Sequence, residues 1–282
     1  MIWAIKDNER IKASPKSNAL CPICNTEVIS KCGVVKEWHW SHKSIQDCDN
    51  WAEPESEWHL KWKSYFPKEQ QEVILENHRA DIKTQQNLII ELQNSSISSD
   101  DICDREKFYK NMIWLLNGNT LGKNLEIREK SCYFTFVWKS PPQSWFSSDK
   151  IIYVDIENQL KDVKEYISDC YERVILMFEK LKELLNQDPN AYFMENKYLS
   201  SRDLCKEFEE SKRNEILKTY GEWSELSKEI LLYERKRDMF NSRTIFLIKK
   251  LYKQVPCSGW GYLISKEDFL SDIGGVEYEE KE

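Results

Sequence analysis

The chain has 282 residues, 40% of them hydrophobic and 32% charged, and a formal net charge of -7. That composition allows a real core beneath a highly charged surface. No apolar run is long enough to span a bilayer, and the charged opening MIWAIKDNERIK lacks the apolar stretch of a signal peptide. A cytoplasmic protein with no membrane partner is therefore expected. The acidity argues mildly against a dedicated nucleic-acid binder, although sites that hold metal through carboxylates are themselves acidic. Glu277, Glu279, Glu280 and Glu282 contribute to the imbalance and read as a disordered acidic tail.

Residues 1–50 are short of apolar runs and carry a cysteine and histidine cluster. Nine cysteines are present, which in a reducing compartment argues for metal binding or plain packing and not for disulfides. Cys21-Pro22-Ile23-Cys24 is the one C-x2-C pair and sets two thiolates on the same side of a turn, the usual first half of a structural Zn²⁺ site. His39, His42 and Cys48 compete for the remaining two positions. In a strand His39 and His42 face opposite ways. His42 with Cys48 is favoured, and His39 is the alternative. Such a site stabilises a fold too small to bury its own core.

Residues 51–150 alternate helix and strand patterns. Glu53-Pro54-Glu55-Ser56 reads as a helix start, followed by Trp58, Trp62 and Tyr65 or Phe66 on one apolar stripe, with Glu55, His59 and Lys63 on a second face. Glu72 to Leu75 is β-prone. Arg79 to Ile82 and Leu88 to Leu92 bracket the polar turn Lys83 to Asn87, a hairpin signature. Ser99-Asp100-Asp101 reads as a cap leading into a helix from Ile102 to Asn111, and Met112 to Leu116 as a further strand.

Residues 151–282 read as a mainly helical region with a short terminal β segment. Apolar residues from Val163 to Leu185 recur near the 3.6 period. The helical pattern continues over Leu204 to Phe208 and from Ile216 to Leu251, and Trp260 to Ile264 reads as a late strand. Basic pairs and triplets (Lys212-Arg213, Arg235-Lys236-Arg237, Lys249-Lys250) alternate with glutamates, the pattern of a solvated mixed-charge face. The tryptophans at helical spacing, Trp58 and Trp62, read as core, while Trp38 and Trp40 are open to either packing or stacking on bases.

Across the hairpin, Glu91 and Gln93 are two apart and share a strand face, and Asp81 lies over the turn. Asp81 and Glu91 can offer two hard oxygen ligands to one Mg²⁺ or Mn²⁺, which would polarise a phosphate and activate a water. Gln93 offers an amide where a lysine would supply charge. Glu55 and His59, one helical turn apart, can add a carboxylate and a proton-transfer group, or can form an ordinary surface pair.

The ordered segments ESEWHLKWK, ENHRADI, LIIELQNSSIS, Arg105-x-x-x-Tyr109 and MIWLLNG, preceded by CPIC and HWSH, resemble the competence protein CoiA family, whose members are PD-(D/E)xK-superfamily proteins of bacteria. The resemblance implies a mixed α/β nuclease-like sheet flanked by helices behind a zinc-finger-like module. It implies Asp81, Glu91 and Gln93 as the catalytic core, with Glu55 and His59 in support. It also implies substrate-binding roles for Arg79, Ser95, Arg105 and Tyr109. The function expected is metal-dependent DNA hydrolysis in DNA uptake, recombination or defence. The runner-up is a DNA-binding scaffold without chemistry, and a third possibility uses the helical region to meet a partner protein or a second copy.

Overall fold

A computed structural model describes residues 1–34, 38–43, 48–51, 53–121, 125–130, 132–139, 143–186, 210–240, 243–252 and 256–275. The expected helix around Leu204 to Phe208, Cys205 and the acidic tail lie outside the described residues, as do the side chains of Arg235, Lys236 and Arg237. The chain forms two compact units, one of Met1–Glu157 with Ser242–Glu282, the other of Asn158–Asn241.

The first unit opens with β1 (Trp3–Lys6), β2 (Glu9–Lys12), β3 (Asn18–Leu20), β4 (Glu27–Lys31) and β5 (His39–His42). They form an antiparallel sheet in the order β2-β1-β3-β4-β5. Ala4, Ala19, Val28 and Trp40 bury into one small cluster with Cys21. Trp40 is thus a core residue, whereas Trp38 is 49% exposed.

There follow α1 (Glu57–Ser64), β6 (Gln71–Leu75), β7 (His78–Lys83), β8 (Ile89–Gln93), α2 (Ser99–Tyr109) and β9 (Met112–Asn117). Next come β10 (Leu125–Glu129), β11 (Phe134–Trp138) and β12 (Ile151–Asp155). After the second unit, β13 (Ile245–Tyr252), β14 (Cys257–Ile264) and α5 (Lys266–Ile273) complete the fold. The nine strands form one mixed sheet, β10-β11-β14-β13-β12-β9-β8-β7-β6. β9 runs parallel to both β8 and β12, and the other neighbours are antiparallel.

The centre of the sheet is buried on both faces: all six residues of β9 and all five of β8 are inaccessible. β9 accordingly reads as an apolar run up to Asn117, while β8 buries Glu91 and Gln93 among its apolar residues. α1 begins at the Ser56 cap, closed as a capping box with His59. It lays Trp62 and Phe66 onto Ile82, Ile90, Leu92 and Leu115, with Phe269 and Leu270 of α5 in the same cluster. The indole N–H groups of Trp58 and Trp62 both donate to Asp155, at 2.9 and 2.8 Å, so that buried carboxylate has its partners.

The segment Ile245–Tyr252 corrects the sequence reading, which ran a helix through to Leu251. It is strand β13, paired on both sides with β12 and β14. Its first half is almost wholly buried, which removes the alternation that marks a strand. In β14, Gly259 and Gly261 permit this pairing. A Cβ there would fall 1.9 Å from the Lys250 carbonyl oxygen and 2.1 Å from that of Leu247.

The second unit holds α3 (Glu157–Leu185), apart from its first residue, and α4 (Glu210–Phe240). Leu181 and Leu185 pack on Ile216, and Cys170 packs on Leu226 and Ile230, an antiparallel pairing with its own core. Ile175, Leu176 and Leu231 stay exposed. Among the described residues no helix is long and apolar enough to cross a membrane.

Candidate active site and metal centre

Cys21, Cys24, His42 and Cys48 bring their ligand atoms within 4.8 Å of one another. The turn that does this is closed by Cys21 N–H to Thr26 O (2.8 Å) and Asn25 N–H to Cys21 O (3.0 Å). Cys24 Sγ lies 3.3 Å and Cys48 Sγ 3.6 Å from His42 Nε2, and Cys21 Sγ lies 3.7 Å from Cys48 Sγ. Tetrahedral ligands bound at about 2.3 Å sit about 3.7 Å apart, so the set fits Zn²⁺. Burial, then the neighbouring Cys21, pushes the Cys48 thiol up to about 12, a crowding that a divalent cation relieves. The set closes with His42 and Cys48, without His39.

In the large sheet, β7 and β8 hold Asp81 and Glu91 in a reciprocal clamp. The backbone N–H of Leu92 donates to Asp81 Oδ2 at 3.0 Å, and that of Asp81 donates to Glu91 Oε1 at 3.3 Å. Each carboxylate also meets a buried cation: Lys63 Nζ lies 2.9 Å from Asp81 Oδ1, and Arg105 donates to Glu91 Oε2 at 2.9 Å. Burial raises the Asp81 pKa, but Lys63 and His59 outweigh it and hold the group below its ordinary value. At Glu91, burial and the Asp81 charge prevail over Arg105 and push it up to about 7. Both groups line one cavity of about 20 Å³, together with Glu53, Glu55, His59, Arg79 and Arg105. That is space for about one water molecule or ion.

The remaining expected residues divide between two flanks. Glu55 does not reach the pair directly. It takes Lys63 Nζ at 2.7 Å, which also lies 3.4 Å from Glu72. Burial would lower the Lys63 pKa, but Asp81, Glu55 and Glu72 outweigh it and raise it. Glu72 in turn accepts the backbone N–H groups of Ile2 and Trp3 and lies 4.0 Å from Arg79 Nε. Its φ of +47° is an unusual conformation for a glutamate.

On the other flank, His59 takes the Ser56 N–H on Nδ1, while Nε2 faces Leu92 O at 3.2 Å and Glu53 Oε2 at 3.4 Å. Both ring nitrogens are therefore engaged. Burial lowers the His59 pKa, but the Glu53 hydrogen bond and the Asp81 and Glu55 charges raise it overall. Glu53 accepts from Gln93 Nε2 and Ser95 Oγ. Arg105 also donates to Trp51 O at 2.7 Å, and Tyr109 packs edge-on against Trp51.

The sequence reading passed over Lys63, Glu53 and Glu72 as site residues. Lys63 was visible one turn after His59 on α1, whereas Glu55, read on the same helix, lies ahead of the Ser56 cap and outside it; Glu53 stood in the helix-start segment. Glu72 gave no local signal, since only the tertiary pairing brings it to Lys63.

The donor set of the pocket fits a hard divalent cation. Two carboxylates converge there, and Glu55, which also lines it, keeps a buried Oε2 without a hydrogen-bond partner within the protein; beside the pocket, on the strand of Glu91, Gln93 Oε1 is likewise buried and unpartnered. Fold and pocket together define a nuclease-like domain preceded by a cysteine–histidine module. Two family models match in that order: "Competence protein CoiA, N-terminal domain" over residues 3–50 and "Competence protein CoiA, nuclease-like domain" over residues 55–185. Together they cover more than half of the sequence, and the chain belongs to the competence protein CoiA family. No curated protein and no solved structure matches it significantly.

Proposed function

We propose that the chain is a divalent-cation-dependent nuclease that hydrolyses phosphodiester bonds of DNA at the Asp81–Glu91 pocket. The convergence of those two carboxylates on one ion-sized cavity carries the reading. Asp81 and Glu91 would hold Mg²⁺ or Mn²⁺, which when bound polarises the phosphate and lowers the pKa of a water. Asp81, its side chain 21% exposed against 4% for Glu91, marks the side from which the phosphodiester enters. Ser95, exposed beside Glu53, stands where it can meet the strand. Arg105 and Arg79 act from ion pairs, offsetting the negative charge that would repel a phosphate. Tyr109 supports this wall by packing on Trp51. The setting proposed is the bacterial cytoplasm, in DNA uptake, recombination or defence against foreign DNA. The exposed Ile175, Leu176 and Leu231 of the second unit support a role in meeting a partner protein or a second copy.

One observation favours the alternative of a DNA-binding scaffold: Lys63 and Arg105 already match both carboxylates. Cleavage of single- and double-stranded DNA with Mg²⁺ or Mn²⁺ decides between them. Wild type is expected to cut, and Asp81→Ala and Glu91→Ala to lose cleavage while still binding DNA. If wild type and both variants are equally inert, the hydrolase reading is wrong, and salt-sensitive binding without cleavage leaves the scaffold.

A further inference from the structure

Gln93 departs from the cationic residue that would supply charge two positions after Glu91, and its surroundings dictate which end of its amide is available. Nε2 is held by two groups that can only accept, the Glu53 carboxylate and the Ser95 carbonyl oxygen, the latter at 3.1 Å. A flipped amide would set its oxygen against both of those oxygens, so chemistry fixes the orientation. The side chain is 1% exposed, and its Oε1 is left buried without a partner in the protein. A buried carbonyl oxygen left unpaired is unfavourable, which points to a ligand for that atom. Gln93 shares the β8 face with Glu91, and Glu53, which holds its other end, lines the pocket.

We propose that Glu53 is a positioning residue that fixes Gln93 as an acceptor, so that Gln93 offers its carbonyl oxygen to a hydrated divalent cation instead of donating to a phosphate. The assignment rests on the nuclease reading for its meaning but not for its test. It also gives Glu53 a purpose that its neighbour Glu55, engaged by Lys63, does not share.

The test is calorimetric titration of the full-length, zinc-loaded protein with Ca²⁺, alongside Mg²⁺-dependent DNA cleavage. Gln93→Met keeps length and burial and removes only the polar atoms. It should weaken Ca²⁺ binding about tenfold with little change in melting temperature. Glu53→Ala should do the same several-fold, and Glu53→Gln, which keeps an acceptor for Nε2, should restore most of the loss. Gln93→Lys should lower kcat; a lysine variant as fast as wild type overturns the proposal. So does a Ca²⁺ affinity left unchanged by Gln93→Met or Glu53→Ala, and should one variant fail to fold, the other carries the test. An inert wild type that still binds Ca²⁺ through Gln93 removes the nuclease reading alone. A wild type that binds no divalent cation in this pocket removes both.

Discussion

Replacing Lys63 with methionine should destabilise the protein by about 3–5 kcal/mol, the usual cost of stripping one partner from a buried ion cluster. The side chain is 1% exposed and its ammonium sits among Glu55, Glu72 and Asp81. Without it Glu55, Glu72 and Asp81 face one another and lose their shared cation, while Arg79 stays 4.0 Å from Glu72 alone. Methionine keeps the length of the side chain, so the loss would be electrostatic and not a packing void. Urea unfolding at neutral pH measures it, and the double variant Glu55→Gln with Lys63→Met should recover part of the loss, because one of the stranded charges is gone. A cost under about 1 kcal/mol would mean that solvent reaches these groups and that the cluster is only a surface pairing.

Removing the metal from the cysteine–histidine module should have a still broader effect. The purified protein is expected to carry one Zn²⁺ per chain, and a chelator or Cys24→Ser should unfold β1 to β5. Their cluster of Ala4, Ala19, Val28 and Trp40 is small, and a bound structural zinc contributes about 10–16 kcal/mol in isolated finger peptides. Hydrogen exchange would show protection lost across residues 3–42. The effect should spread to the pocket, because the backbone N–H groups of Ile2 and Trp3 donate to Glu72, which in turn faces Lys63. Zinc-free protein with unchanged exchange would show that the thiols are packing groups and nothing more.

How much of this was legible depended on how local the cause was. The α1 start, the β7–β8 hairpin and β9 were readable because Ser56, the polar turn and the apolar runs act within a few residues. The metal set was readable because its ligands fall within one short window. β13 was misread because double-sided burial erased its alternation. The five strands before residue 50 were not read at all, being three to five residues long. In the pocket, Asp81, Glu91 and Gln93 came from the resemblance, since their spacing alone fits many solvated hairpins. The partners that set their electrostatics, Lys63, Glu53 and Glu72, are joined to them only by the fold.

The sheet is interrupted in sequence but not in space. Ile156 N–H donates to the Thr244 carbonyl oxygen at 2.8 Å, so the end of β12 and the start of β13 lie side by side in the sheet. Asn158–Asn241 is in effect a cassette plugged between two adjacent strands, and nothing in the β12–β13 ladder requires what it carries. Excising it and bridging the stems with a short glycine linker should leave a protein that still folds and still binds zinc. The same junction would accept a different cassette, giving evolution a place to vary the helical unit while the sheet and its pocket stay as they are.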